Sequence, residues 1–236
     1  MAIIGIDIGG SKIRGILWEG KKVVRSHEFA TPKNKDNLRK KLVALTASLS
    51  GQNPIRAIGI GAAGIVEETT LIASPNIPYI KKFSFRSLWR YSVALRLDND
   101  ARAFARAELL RGAGRGARSL FALTIGTGIG RAYGSRRKIV KIKRFEYPER
   151  WEKNYQAVQR RRDNKQLANF LAEKLFRLMA PFKPEMVVIG GGVMERPGLP
   201  RRLETALRAQ GLRAKIRRAA FRKNAVAIGA ALLLSD

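Results

Sequence analysis

Apolar and polar positions alternate from Ile3 to Ile8, break at Gly9-Gly10-Ser11-Lys12, and resume from Ile13 to Trp18. A period of two on both sides of a glycine and hydroxyl cluster predicts two strands joined by a tight turn. Glu19-Gly20 then turns the chain into a third strand, Lys22 to Phe29, which completes an antiparallel meander. From Lys35 to Leu49 the spacing becomes helical, with Leu38, Leu42, Leu45 and Leu49 on one stripe. Ile55 to Ile60 reads as a strand that runs into a small-residue turn, Gly61-Ala62-Ala63-Gly64. Two prolines make Ser74 to Pro78 a loop. Ser84 is placed to cap a short helix reaching Tyr91. Val93 to Leu97 is a strand ending in Asp98-Asn99-Asp100, and Ala101 to Leu110 is helical.

The pattern then restarts. Ser119 to Ile125 is an apolar strand, Gly126-Thr127-Gly128 a turn, and Ile129 to Tyr133 and Lys138 to Ile142 are two more strands. Helices are expected over 151–162 and 164–179, a buried strand over Met186 to Ile189, a Gly190-Gly191-Gly192 turn, and a helix from Leu199 to Arg208. A small-residue helix runs from Asn224 to Leu234. The order of meander, helix, strand, helix and strand occurs once in the first half and recurs, less completely, in the second. A duplicated α/β architecture with a cleft between two lobes fits that recurrence.

Composition narrows the chemistry. With 236 residues, 45% of them apolar, the chain can bury a sizeable core. It has no cysteine, which removes disulfides, thiolate zinc sites and cysteine nucleophiles. No segment has the run of apolar residues that a membrane helix needs, and the start lacks a basic region before its apolar stretch, so a cytoplasmic location is expected. The net charge of +29 divides into +12 over residues 1–118 and +17 over 119–236, so it is spread over the fold. It has two readings, a solvated basic surface or a polyanionic partner.

Two Gly/hydroxyl turns, each between an apolar strand and a return strand, are the strongest chemical signal. Short side chains let backbone N–H groups approach a ligand, and such turns bind phosphate. The same glycines would also serve plain hairpins. Asp7 stands at the end of the first strand, where a magnesium-bound phosphate would want a carboxylate. Asp100 begins a helix just past a strand, the position where ligands gather in α/β sheets. It reads either as a helix cap or as a general base that takes a proton from a substrate hydroxyl. Asn99 could bind a neighbouring hydroxyl, and Asn76 reads either as a hydroxyl contact or as a turn residue between prolines. Gly190, Gly191 and Gly192 leave bare backbone for a flat ligand or a phosphate. His27, the only histidine, is given no role.

Taken in order, these segments resemble the ROK sugar kinases. Asp7-Ile8-Gly9-Gly10-Ser11-Lys12 is similar to their DIGG[ST]K phosphate motif, Asn99-Asp100-Ala101 to NDA, and Gly112 to Gly116 to GAGRG. Thr124 to Gly130 resembles the LGTGIG turn, Ile189 to Val193 the IGGGV segment, and Asn224 to Ala231 the closing NAGxxGAA. The resemblance spans nearly the whole chain. It implies an actin-like, ribonuclease H-like two-lobed ATPase fold with a nucleotide and sugar cleft between the lobes. Residues 1–101 would form the N-terminal lobe with 224–236 packing back on it, and 102–223 the nucleotide-binding lobe.

The implied reaction is phosphoryl transfer from ATP, with magnesium, to a hexose hydroxyl. Asp100 would be the base, and Asn76, Asn99, Asp100 and Glu146 the sugar contacts. Asp7 would lie by the metal. Gly9, Gly10, Ser11, Lys12, Gly126, Thr127 and Gly128 would hold phosphate, and Gly190, Gly191 and Gly192 would lie near the adenosine. Two features depart from the family pattern. Glu146-Tyr147-Pro148-Glu149 stands where a Glu-x-Gly-His segment usually falls, so the histidine is missing, and the cysteine-rich zinc loop is absent. No zinc is therefore expected. A short branch similar to polyphosphate glucokinases shares that absence, and polyphosphate as donor would suit the charge. The expected partners are a hexose and a polyanionic donor, without membrane or nucleic acid; relatives are often homodimers. The alternative is a catalytically weakened regulatory protein of the same fold that binds nucleotide or sugar.

Overall fold

The computed structural model describes residues 2–235. These fall into two compact units, one made of the residues up to Ala107 together with those from Lys223 on, the other of Glu108–Arg222.

In the first unit, strands β1 (Ala2–Ile8), β2 (Lys12–Glu19) and β3 (Lys22–Ala30) form the antiparallel meander. Strands β4 (Ala57–Ala62) and β8 (Ala94–Asn99) add to β1 in parallel, giving the order β3-β2-β1-β4-β8. Helix α1 (Lys35–Ser50) buries Leu38, Leu42, Leu45 and Leu49. Asn34 caps it by accepting from the Asn37 N–H at 2.9 Å. Helix α6 (Ala225–Ala231) presses against β1 and β4. It comes so close that a Cβ on Gly59 would lie 1.9 Å from the Ala230 carbonyl oxygen, and one on Gly5 2.0 Å from that of Ala227.

Three short strands, β5 (Ile65–Glu67), β6 (Thr70–Ala73) and β7 (Lys81–Ser84), make a small separate sheet. The sequence shows no alternation long enough to reveal them. Ser84 ends β7 instead of capping a helix, and only Arg86–Leu88 forms a 3-10 turn. The β4 strand is shifted by two residues from its expected place and includes Gly61 and Ala62, which pair with Asp98 and Asn99 of β8.

The second unit repeats the plan. Strands β9 (Ser119–Ile125), β10 (Ile129–Ser135) and β11 (Lys138–Val140) are antiparallel, and β12 (Met186–Gly190) and β13 (Lys215–Arg218) are parallel to β9. Their order, β11-β10-β9-β12-β13, reproduces that of the first sheet. The recurrence thus extends to all five strands of the main sheet. Its last strand escaped the hydrophobic pattern because Lys215–Arg218 carries a single apolar residue, Ile216. Helices α4 (Asn164–Met179) and α5 (Leu199–Ala209) pack leucines into the core of this unit, and α3 (Glu152–Arg160) packs Tyr155 there.

Helix α2 (Asp100–Leu110) contains the division between the units. Glu108 on it is fully buried. Its carboxylate accepts from the N–H groups of Ala113 (2.8 Å), Ala220 (3.1 Å) and Phe221 (3.1 Å), joining the loop after α2 to a segment 112 residues further on. Glu108→Ala would leave three partly buried amides without their acceptor. It is expected to cost about 2–4 kcal/mol in urea unfolding, since each orphaned group forfeits its share of desolvation. A loss below about 0.5 kcal/mol would show that water replaces the carboxylate.

Candidate functional site

Most of the residues singled out by sequence lie at the C-terminal edges of parallel strands, where α/β sheets gather ligands. In the first unit Ile8, Ala62 and Asn99 are in register across β1, β4 and β8. One step back, Asp7, Gly61 and Asp98 form the adjoining row. The row continues through Arg14 of β2 to Glu28 of β3. Five strands thus carry Asp98, Gly61, Asp7, Arg14 and Glu28 side by side on one face.

The turn after β1 is tight, with the Gly9 N–H donating to the Lys12 carbonyl at 3.1 Å. Thr31 fixes it from outside: its hydroxyl donates to Gly9 O (2.7 Å) and its N–H to Ser11 O (3.0 Å). The amides of Gly10 and Ser11 have no partner among the described residues, so two donors remain for an anion. Gly10 also lies against the 74–78 loop. A Cβ there would be 2.6 Å from the Cβ of Asn76, so the glycine permits the approach that brings Asn76 to the turn. Ser11 and Asn76 are exposed. Lys12 is exposed and pairs with Glu28 at 2.7 Å.

Asp98 is a structural anion. It is buried, and its carboxylate accepts from Arg102 Nε (2.5 Å), Arg106 Nη2 (2.7 Å) and the Asn99 N–H (2.8 Å). Asn99 is the cap of α2: its Oδ1 accepts from the N–H groups of Ala101 (3.0 Å) and Arg102 (3.4 Å), while Nδ2 donates to Gly64 O (3.0 Å). The second amide hydrogen of Asn99 has no partner among the described residues. With the cap supplied by Asn99, Asp100 is not needed for capping; its Oδ1 accepts from the Ala101 N–H at 2.9 Å, and its own backbone N–H also bonds the carboxylate. Burial pushes the Asp100 carboxyl above its ordinary range, backbone hydrogen bonds and Arg102 oppose the shift, and Asp98 adds to it. Asp7 is also pushed up, to about 8, first by burial and then by the charge of Asp100, against a smaller pull from Arg14. Arg14 pulls weakly because its guanidinium is committed to Glu28, with Asn224 Oδ1 at 3.5 Å.

Arg14 was not singled out by sequence. The signal was there: a tight turn between Ile8 and Ile13 places position 14 opposite Asp7.

In the second unit β9 and β12 are parallel neighbours, with Thr124 opposite Gly190, so Gly126-Thr127-Gly128 and Gly190-Gly191-Gly192 follow adjacent strand ends. Gly191 has φ +99°, and a Cβ on it would lie 2.4 Å from the Ile125 carbonyl oxygen. That contact brings the two turns together. The Gly126 N–H donates to Gly128 O at 2.9 Å, and the space beside Gly126, Gly128 and Gly192 is open. Beneath the turn, the buried Tyr155 donates its hydroxyl to Gly126 O at 2.8 Å. Burial raises its phenol to about 12, so it stays a donor. Glu146 ends a 3-10 turn, Lys143–Glu146, after β11.

Magnesium is the metal that such a site implies. No group of three or more His, Cys, Asp or Glu able to hold a metal occurs among the described residues. Magnesium suits that donor set, because it keeps several waters and binds through one or two carboxylates plus substrate phosphates. Asp7, a carboxylate poorly compensated by its neighbours, fits as the protein's share. Among the described residues no helix is long and apolar enough to cross a membrane.

Comparison with known proteins bears on the whole chain. The sequence profile of the ROK family matches residues 3–141 and 148–236. A glucokinase of Streptomyces coelicolor is 32% identical over 131 residues, which is 54% of this chain and 41% of that protein. The aligned stretch thus spans about two-fifths of that relative's length. Two solved structures have the same fold. A ROK family glucokinase of Streptomyces griseus, in complex with glucose and AMPPNP, superposes with a TM-score of 0.83 at 22% identity, covering 99% of both chains. The inorganic polyphosphate/ATP-glucomannokinase of an Arthrobacter strain superposes with a TM-score of 0.80 at 25% identity, covering 99% of this chain and 98% of that one.

Proposed function

The chain belongs to the ROK family and has its actin-like ATPase fold of two α/β units, and from that premise we propose that it is a sugar kinase. It transfers a phosphoryl group from ATP or polyphosphate to a hexose hydroxyl. The observation that carries the proposal is Asp100. It is a carboxylate at the C-terminal edge of three parallel strands, next in sequence to a cap residue that frees it from capping, and close enough to act on Asp7.

In this reading the hydroxyl donates its proton to the Asp100 carboxylate as its oxygen bonds to the terminal phosphorus of the donor. The phosphorus–oxygen bond to the leaving phosphate breaks, its electron pair leaves with ADP or with the shortened polyphosphate, and Asp100 later returns its proton to water. Such transfers depend on positioning and charge more than on covalent help from the protein. The free amides of Gly10 and Ser11, and the 126–128 turn, are the proposed phosphate donors. Asp7 would hold magnesium, whose charge offsets that of the donor phosphates. Gly190 to Gly192 are assigned to the adenosine when ATP is used. Asn76, the remaining amide hydrogen of Asn99, and Glu146 are the proposed sugar contacts.

The test is a transfer assay with a panel of hexoses and amino sugars, magnesium, and either ATP or polyphosphate. Sugar phosphate is expected from at least one pair. If the basic surface recruits polyphosphate, the KM for that donor should rise about tenfold or more between 50 and 200 mM salt, while that for ATP should move less. No product from any pair, with nucleotide binding retained, would replace the kinase by a binding protein of the same fold.

A further inference from the structure

Arg131 is a charged side chain buried in the core of the second unit. It stands on β10 opposite Leu123, which is opposite Ile189, and so points into the face that carries Phe121, Leu123 and Ile125 beneath the helices. It is 2% exposed. Its Nη2 donates to the Tyr147 carbonyl oxygen (2.7 Å) and to Glu152 Oε1 (2.5 Å), and that same oxygen accepts from the Glu149 N–H (2.8 Å). Nε and Nη1 are buried without a partner. A half-satisfied buried guanidinium is a poor device for stability, and an apolar pair of similar volume usually does as well or better. What Arg131 and Glu152 supply is geometry, since three points of the segment Tyr147–Glu152 converge on one ion pair.

Glu146 sits at the start of that segment. On its other side Phe145 packs its ring against Phe121 at 5.6 Å and Phe182 at 5.5 Å. The intervening 3-10 turn is closed by Phe145 N–H to Ile142 O (2.9 Å) and Tyr147 N–H to Arg144 O (3.3 Å). Glu146 is therefore held between an aromatic anchor on one side and the Arg131 anchor on the other, each a single residue away.

We infer that the Arg131–Glu152 pair is a clamp that fixes the Glu146 segment, and that Arg131 is thereby a positioning residue for sugar recognition. The second half of this inference rests on the proposed role of Glu146 as a sugar contact. The clamp does the orienting from inside the core, through a backbone carbonyl and a backbone amide, without touching substrate.

The test uses the full chain with four variants: Arg131→Met/Glu152→Met, the milder Glu152→Gln, the conservative Arg131→Lys, and Glu146→Gln. The double variant should fold, because it removes both charges together and leaves none unpaired in the core. Its Tm should stay within a few degrees of the parent, while hydrogen exchange should accelerate over residues 143–152 and nowhere else. Its KM for sugar should rise about tenfold to a hundredfold with kcat and donor KM within about threefold, the signature of a misplaced contact. Glu152→Gln should move the same readouts in the same direction by less, and Arg131→Lys, which keeps one donor, should recover part of the loss. Unchanged exchange over 143–152 in the double variant would overturn the clamp. Faster exchange spread over the whole unit would overturn it too, by reducing Arg131 to general stability. A Glu146→Gln variant with parental sugar KM would remove the sugar contact and leave the clamp to be judged by exchange alone.

Discussion

Asp100→Asn is expected to lower turnover by about a hundredfold to ten-thousandfold, the range for removing a positioned general base, with nucleotide affinity changed by less than about threefold. The substitution is conservative where folding is concerned. Asparagine can still accept from the Ala101 N–H, and the helix cap belongs to Asn99. What it cannot do is take a proton. The environment of Asp100 also sets a pH profile: burial lifts its carboxyl above the ordinary range, and only the ionised form can act as base. The acid limb of kcat/KM should therefore lie above ordinary carboxylate values and fall about tenfold per pH unit below it, and Asp100→Asn should abolish that limb. Asp98→Asn is the control. It should lower stability, because Asp98 is held by two arginines, without the same specific loss of the limb. Turnover retained in Asp100→Asn would remove it as the base.

Elements whose apolar pattern is long were legible in the sequence, and their bounds came out closely. Strand Ser119–Ile125 and the helix ending at Met179 owe this to unbroken apolar periodicity ended by glycine or proline. Short strands were not legible. The β5–β7 sheet and β13 have three or four residues each, too few for a period, and are held in place by neighbours contributed from elsewhere in the chain. The same limit applied to the site. Asp7, Asp100 and the glycine turns announced themselves by residue type. The partners that decide their chemistry did not, because they come from register: Arg14 across a hairpin, Asp98 across two parallel crossings. By residue type Asn99 reads as a hydroxyl contact beside Asp100, whereas in the fold it spends most of its amide on the cap and on Gly64. The three amides held by Glu108 and the clamp on Tyr147 involve separations from which no local pattern can be read.

Asp7→Asn should make the protein more stable and less active at once. The row of Asp98, Gly61, Asp7, Arg14 and Glu28 offers Asp7 a single cation, and Glu28 has claimed it. Burial and the charge of Asp100 then lift the Asp7 carboxyl to about 8. The sign follows from linkage. A carboxylate whose folded value is raised binds its proton more tightly when folded, so it lowers stability progressively as pH rises from the unfolded value to about 8, and by a constant amount beyond. Asparagine cannot ionise and escapes that cost. In EDTA the variant should match the parent near pH 4 and gain on the order of 1–3 kcal/mol, or several degrees in Tm, by pH 8. Adding magnesium and donor should narrow the difference, since only the parent carries the carboxylate that binds them. Transfer should meanwhile fall by about a hundredfold or more, because the donor phosphates lose the carboxylate through which the metal is held. A variant less stable than the parent at pH 8 in EDTA would show that Asp7 has a compensating partner in the folded chain, and undiminished transfer would take the metal away from it. A gain in stability coupled to a loss of transfer is what a charge kept for chemistry should produce, at a position where the fold alone would do better without it.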